Sequence, residues 1–127
     1  MILADTSVWV DHLRSGDAAL EGQLDAGEIL MHPFVLGEIS LGILPDRTRV
    51  LFSLKEIPEA AIAREEEVAQ LIEGLELYGT GIGYVDAHLL ATVMFIRGAT
   101  LWTRDKRLLA LARQIGVACD EPEAWVQ

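Results

Sequence analysis

Short apolar runs alternate with helical patterns along the chain, and no other feature constrains the fold as much. Met1 to Ala4 is apolar and stops at Asp5-Thr6-Ser7, residues that can end a strand and cap a helix. Helices are expected from about Val8 to Leu13, ending near Ser15-Gly16, and from Asp17 to Ala26, stopped by Gly27. Glu28 to His32 reads as a second strand, and Pro33 suits the first position of a helix running to about Leu41. Pro45 and Asp46 open a helix toward Ser53, with a very short third strand expected from Leu54 to Ile57. From Glu59 to about Leu77, Val68, Leu71, Ile72 and Leu75 follow the i, i+3, i+4, i+7 spacing of an amphipathic helix. Gly79 to Gly83 is a loop, Tyr84 to Arg97 a helix, and Ala99 to Thr103 a strand. Lys106 to Gln114 forms the last clear helix, with Leu108, Leu111, Ala112 and Ile115 on one face, and Val117 to Cys119 a final strand. Strands alternating with helices predict an α/β fold: a three-layer α/β/α sandwich with a central, mainly parallel sheet.

No repeat, low-complexity tract or linker interrupts the 127 residues, so residues 1–127 are expected to form one domain. A chain of this size buries roughly two-thirds of its unfolded surface, and 51% hydrophobic content is enough to build that core. One cysteine, Cys119, excludes an internal disulfide framework and is read as a core residue. The longest nearly apolar run, Leu89 to Ile96, is too short to span a bilayer, and no basic segment precedes Met1 to Ala4. A cytoplasmic location without membrane contact is expected.

The net charge of −10 argues at first against a nucleic-acid partner, because phosphates are bound by Lys and Arg. The distribution changes that reading. Arg97, Arg104, Lys106, Arg107 and Arg113 are opposed only by Asp105, a local charge of +4, so the remainder carries −14. A solvated helix face would also account for this window.

Functional groups in open α/β sheets collect beyond the carboxyl ends of strands. Asp5 follows the first strand and Asp105 lies just past Ala99 to Thr103. Glu38 and Asp86 interrupt otherwise apolar helical stretches, where a carboxylate must be solvated, paired or bound to a cation. Each has an ordinary explanation alone: Asp5 as a helix cap, Asp86 as a first-turn acid favoured by the helix dipole. If all four converge, their repulsion raises pKa values and weakens the fold unless a cation neutralises them. Oxygen donors without Cys or paired His select Mg2+ or Mn2+, ions suited to in-line displacement at a phosphodiester. Thr6, Ser7 and Thr103 stand beside the acids and could supply supporting hydrogen bonds.

The segments Met1-Ile2-Leu3-Ala4-Asp5-Thr6-Ser7-Val8-Trp9, Gly37-Glu38, Val85-Asp86-Ala87-His88-Leu89-Leu90-Ala91 and Leu101-Trp102-Thr103-Arg104-Asp105-Lys106 occur in an order and spacing that resembles the PIN-domain family. The closer similarity is to the VapC-type ribonuclease toxins of bacterial toxin–antitoxin pairs, and it covers essentially the whole chain. The resemblance implies that Asp5, Glu38, Asp86 and Asp105 form an acidic metal pocket, with Asp5 and Asp86 as the principal ligands. It further implies Mg2+-dependent cleavage of RNA, a cognate antitoxin that inserts a basic residue into the pocket, and a homodimer. Arg104, Lys106 and Arg107 would then meet RNA phosphates beside the pocket. The acidic total should slow nonspecific capture of RNA and favour a basic inhibitor.

Other readings are weaker. A non-catalytic module whose acidic pocket receives a basic protein partner is the main alternative. A phosphotransferase using Asp5 as nucleophile would want an acid where Ser7 stands. The spacing of Gly79, Gly81 and Gly83 does not match a dinucleotide loop, and His12, His32 and His88 match no common zinc pattern. Trp9, Trp102 and Trp125 are read as packing residues, with RNA stacking as the alternative for Trp9, and Asp11 as a solvated surface acid.

Overall fold

In the computed structural model, which describes residues 1–122, the chain runs β1 (Ile2–Ala4), α1 (Thr6–Ser15), α2 (Ala18–Asp25), β2 (Ile29–Leu30) and α3 (Pro33–Ser40). It continues through α4 (Arg47–Leu54), α5 (Glu65–Gly74), α6 (Tyr84–Phe95), β3 (Thr100–Trp102) and α7 (Lys106–Ile115). Trp125 lies outside the described residues. The strands form one parallel sheet in the order β2-β1-β3, with Leu3 opposite Leu30 on one side and Leu101 on the other. Leu3, Ala4, Ile29, Leu30, Leu101 and Trp102 are all buried. That explains why the strands read as continuous apolar runs: helices cover both faces of a parallel sheet, so neither face needs polar residues. α1 lies against β1 and α3, whereas α6 lies against β3 and α5. No helix among the described residues is long and apolar enough to cross a membrane.

Local capping fixes several boundaries. Asp5 Oδ1 accepts from the Val8 N–H at 3.3 Å, so α1 starts at Thr6, earlier than the expected Val8, and ends before Gly16 at φ +75°. Asp17 caps α2 through the Leu20 N–H at 3.0 Å, and Asp105 caps α7 through the Leu108 N–H at 2.9 Å. Pro33 occupies the first turn of α3, where its missing N–H costs nothing.

Three expected elements differ from the structure. Leu54 to Ile57 is not a strand: Leu54 ends α4, and the N–H groups of Lys55, Glu56 and Ile57 turn back to Leu51, Ser53 and Leu54. The extended pairing falls instead at Glu59, which bridges Met31, with Met31 N–H donating to the Pro58 carbonyl and Ala60 N–H to that of Met31. Residues 59–64 therefore cannot be helical, and α5 begins only at Glu65, where Glu67 accepts from the Arg64 N–H at 2.9 Å. Val117 to Cys119 contributes a single bridge, Leu101 to Ala118, rather than a full strand. Trp9 and Trp102 are both in the core, which removes Trp9 from any stacking surface. Cys119 packs partly buried against that core.

Candidate active site

Asp5 sits where β1 ends. Its N–H still belongs to the ladder, donating to the Trp102 carbonyl at 3.0 Å, while its side chain caps α1. The carboxyl is 5% exposed. Oδ1 accepts from the Ser7 hydroxyl as well as from Val8, and Oδ2 accepts from the Thr103 hydroxyl. Burial pushes its pKa above the usual carboxylate range, against the lowering effect of these hydrogen bonds. Ser7 and Thr103 thus both contact the Asp5 carboxyl directly. Thr6 plays a different part: its hydroxyl reaches Glu38 Oε1 at 2.8 Å, tying the start of α1 to α3.

Asp86 lies in the first turn of α6, half-buried, with Oδ2 accepting from the Gly83 N–H at 3.2 Å. Burial raises its pKa first, and the negative charges of Asp5, Asp105 and Glu38 raise it further. The charges of three of these acids thus reach the fourth, although Asp5 follows β1, Glu38 lies on α3, Asp86 on α6 and Asp105 before α7. Glu38 and Asp105 are exposed.

Their chemistry suits a hard divalent cation: all four donors are carboxylates, and their mutual repulsion is relieved by positive charge. Asp86 Oδ1, Asp105 Oδ2 and Glu38 Oε2 accept no hydrogen bond among the described residues, leaving one oxygen of each open. No three Asp, Glu, His or Cys side chains among the described residues stand close enough to enclose an ion as they are. His32 and His88 are buried among Phe34 and Tyr84 rings instead of facing the acids. His12 accepts from the Asp17 N–H at 3.2 Å.

The basic residues separate. Lys106 and Arg107 are exposed in the first turn of α7, beside Asp105. Arg107 lies across the loop before α6: a Cβ added to Gly81 would stand 2.6 Å from its Nη1. Arg104, grouped with them in the sequence, points elsewhere. Its guanidinium donates to Asp11 Oδ2 and Asp17 Oδ2, each at 2.7 Å, and to Glu121 Oε1 at 2.5 Å. Burial opposes its charge, but the bonds to Glu121, Asp11 and Asp17 outweigh it and strengthen protonation. Asp11 is accordingly a partner of Arg104 rather than a simply solvated acid. Asp17 and Glu121 carried no sequence signal for this contact, since nothing local marks a partner 87 or 17 residues away.

The sequence pattern of the PIN domain matches residues 2–114. The chain is 45% identical over 121 residues to Ribonuclease VapC32 of Mycobacterium tuberculosis, covering 95% of this chain and 98% of that protein. Among solved structures, PAE2754 from Pyrobaculum aerophilum superposes with a TM-score of 0.65 at 18% identity, covering 94% of this chain and 87% of that one. FitAcB from Neisseria gonorrhoeae superposes with a TM-score of 0.62 at 22% identity, covering 93% and 95%. These two likenesses concern the fold alone. The match along nearly the whole chain shows that this protein belongs to the PIN-domain family, among its VapC-type members.

Proposed function

We propose that this protein is a metal-dependent endoribonuclease acting as the toxin of a toxin–antitoxin pair, built as a single domain. The reading is supported above all by 45% identity over 95% of the chain to a protein named as a ribonuclease, and also by the half-buried Asp86 carboxyl, whose pKa is raised by burial and further by the charges of Asp5, Asp105 and Glu38. Asp5 and Asp86 are the principal ligands for Mg2+ or Mn2+, and Glu38 and Asp105 complete the site with their open oxygens. Such an ion, when bound, supplies Lewis acidity for hydrolysis of a phosphodiester. Ser7 and Thr103 keep the Asp5 carboxylate oriented by donating to its two oxygens. Lys106 and Arg107, exposed beside Asp105, draw the phosphate backbone toward the acids and offset their repulsion.

The same concentration of negative charge supports a basic antitoxin side chain entering the pocket, where it would compete with the metal. The homodimer and the cytoplasmic location belong to this reading as well. The test is cleavage of RNA by the purified protein with Mg2+ or Mn2+, with and without EDTA, and with Asp5→Asn and Asp86→Asn. Cleavage should vanish in EDTA and in both variants. Undiminished cleavage in any of these, or binding of a basic peptide by a chain that cleaves no RNA, would overturn the nuclease mechanism.

A further inference from the structure

Arg104 stands between two site residues, Thr103 and Asp105, yet its side chain leaves the site. Nη1 binds Asp11 on α1, Nη2 binds Asp17 at the N-cap of α2, and Nη2 and Nε share Glu121 Oε1 beyond α7. The guanidinium carbon lies 5.4 Å from the centre of the Trp102 ring, whose Nε1 donates to the other oxygen of Glu121 at 2.9 Å. Arg104 and Asp17 side chains are 26% and 15% exposed, so that pair is partly shielded, whereas Asp11 and Glu121 are about half exposed at 51% and 53%. Three carboxylates around one guanidinium leave an excess of negative charge, which makes an RNA phosphate an unfavourable further partner.

The main chain of the same residue reaches the site. The Arg104 N–H donates to Ser7 Oγ at 3.0 Å, and the Ser7 hydroxyl donates to Asp5 Oδ1. The Thr103 hydroxyl donates to Asp5 Oδ2 and accepts from the Asp105 N–H at 3.1 Å. Asp5 Oδ2 is thus held directly by this segment and Oδ1 indirectly, through the Arg104 N–H on Ser7, and the segment's middle side chain is anchored to α1, the N-cap of α2 and Glu121.

We infer that Arg104 is a positioning residue: by clamping residues 103–105 through Asp11, Asp17 and Glu121, it holds the two hydroxyls that orient Asp5. Its kinetic consequence rests on the nuclease reading; its effect on Asp5 exists in the resting protein. Groups that orient a metal ligand typically cost tenfold to a hundredfold in metal affinity or activity when lost.

The test compares wild type with Arg104→Ala, Arg104→Lys, Asp11→Asn and Glu121→Gln below their unfolding midpoints. The last two variants keep the arginine and its main chain, and remain informative if Arg104→Ala does not fold. Two readouts are taken: kcat and KM on RNA, and Mn2+ binding to the RNA-free protein. Arg104→Ala should lower kcat by about tenfold or more and raise the Mn2+ Kd by a similar factor, with KM changing less than about twofold. Arg104→Lys, which lacks the planar fork, should recover only part of this loss. Glu121→Gln should shift both readouts the same way by less, and combine non-additively with Arg104→Ala. A raised KM with unchanged kcat and Mn2+ Kd would mark an RNA contact and overturn the role. A lowered unfolding midpoint with kcat and Mn2+ Kd both unchanged would also overturn it. If wild type cleaves no RNA, the nuclease reading fails, and Mn2+ affinity alone decides: weakening in the Arg104 variants supports positioning. Equal affinity in all variants, or no Mn2+ binding by wild type, defeats it.

Discussion

The Thr103 hydroxyl donates to Asp5 Oδ2 across 98 residues of sequence, joining the ends of two neighbouring parallel strands at the most buried acid of the site. Replacing that hydroxyl by a methyl in Thr103→Val leaves a buried carboxylate oxygen with one partner fewer. The expected cost is about 1–3 kcal/mol of stability and about a tenfold fall in kcat. Thr103→Ser keeps the donor and should retain most of both. Urea unfolding and RNA cleavage on the two variants check this; losses in Thr103→Ser with none in Thr103→Val would show that the methyl group, not the hydroxyl, matters.

Asp86→Asn separates function from stability. Removal of a principal ligand should reduce cleavage by more than about a hundredfold, beyond the loss expected for a supporting group. Stability should move the other way. Burial and the Asp5, Asp105 and Glu38 charges hold the Asp86 pKa above its ordinary value. Its contribution to stability is therefore present at low pH and lost as pH rises through the folded-state value. At pH 7 without metal, the neutral amide should raise Tm, and Mn2+ should raise the wild-type Tm more than that of the variant. Thermal melts with EDTA and with Mn2+ read both effects.

His32 provides a pH dependence of opposite sign. Its Nδ1 accepts from the Phe34 N–H at 3.0 Å, and its Nε2 is buried without a partner among the described residues. Burial, aided by the nearby His88, lowers its pKa from 6.5 to about 4. Between those values the unfolded chain binds more protons, so His32 weakens the fold progressively as pH falls from 6.5 toward 4. The full difference is on the order of 3 kcal/mol. His32→Gln should remove this component, and the wild-type-minus-variant stability from urea titrations should fall across that window, then level off. A pH-independent difference would refute it.

Gly81 combines a positive φ of +89° with close approach of Arg107. Gly81→Ala should cost about 1–2 kcal/mol through backbone strain alone and displace the Arg107 guanidinium, raising KM for RNA. In an Arg107→Ala background the backbone cost should persist while the further rise in KM disappears. Kinetics and thermal melts of the four combinations test this coupling; additive KM effects would show that the displaced arginine is irrelevant.

The features legible along the chain are those whose cause lies within a few residues. Asp5, Asp17 and Asp105 each cap a helix through an N–H three positions on. The cap at Asp5-Thr6-Ser7 is legible in the sequence, whereas Asp17 reads there as the first residue of its helix and α1 starts before the expected Val8. The unusual positions of Glu38 and Asp86 in apolar helical stretches are visible for the same reason. Leu54 to Ile57 misleads because a short stretch with apolar residues only at its two ends, after a helix, suits either a strand or a last helical turn. Pairing with Met31, which falls at Glu59, decides which residues extend.

The α/β class and the four acids as candidates were legible in the sequence, since hydrophobic periodicity acts locally, whereas α1 and α5 start at residues other than those expected. Tertiary structure buried Asp86, which is the main reason its pKa is raised, and brought the charges of Asp5, Asp105 and Glu38 near enough to raise it further. It also divided the basic segment. Arg104, Lys106 and Arg107 are equivalent as charges in a string, but side-chain direction sends Arg104 to partners 93, 87 and 17 residues away and leaves Lys106 and Arg107 exposed at the start of α7. Net charge is a sum over the chain, whereas the field at a site depends on distance and burial, which only the folded chain defines.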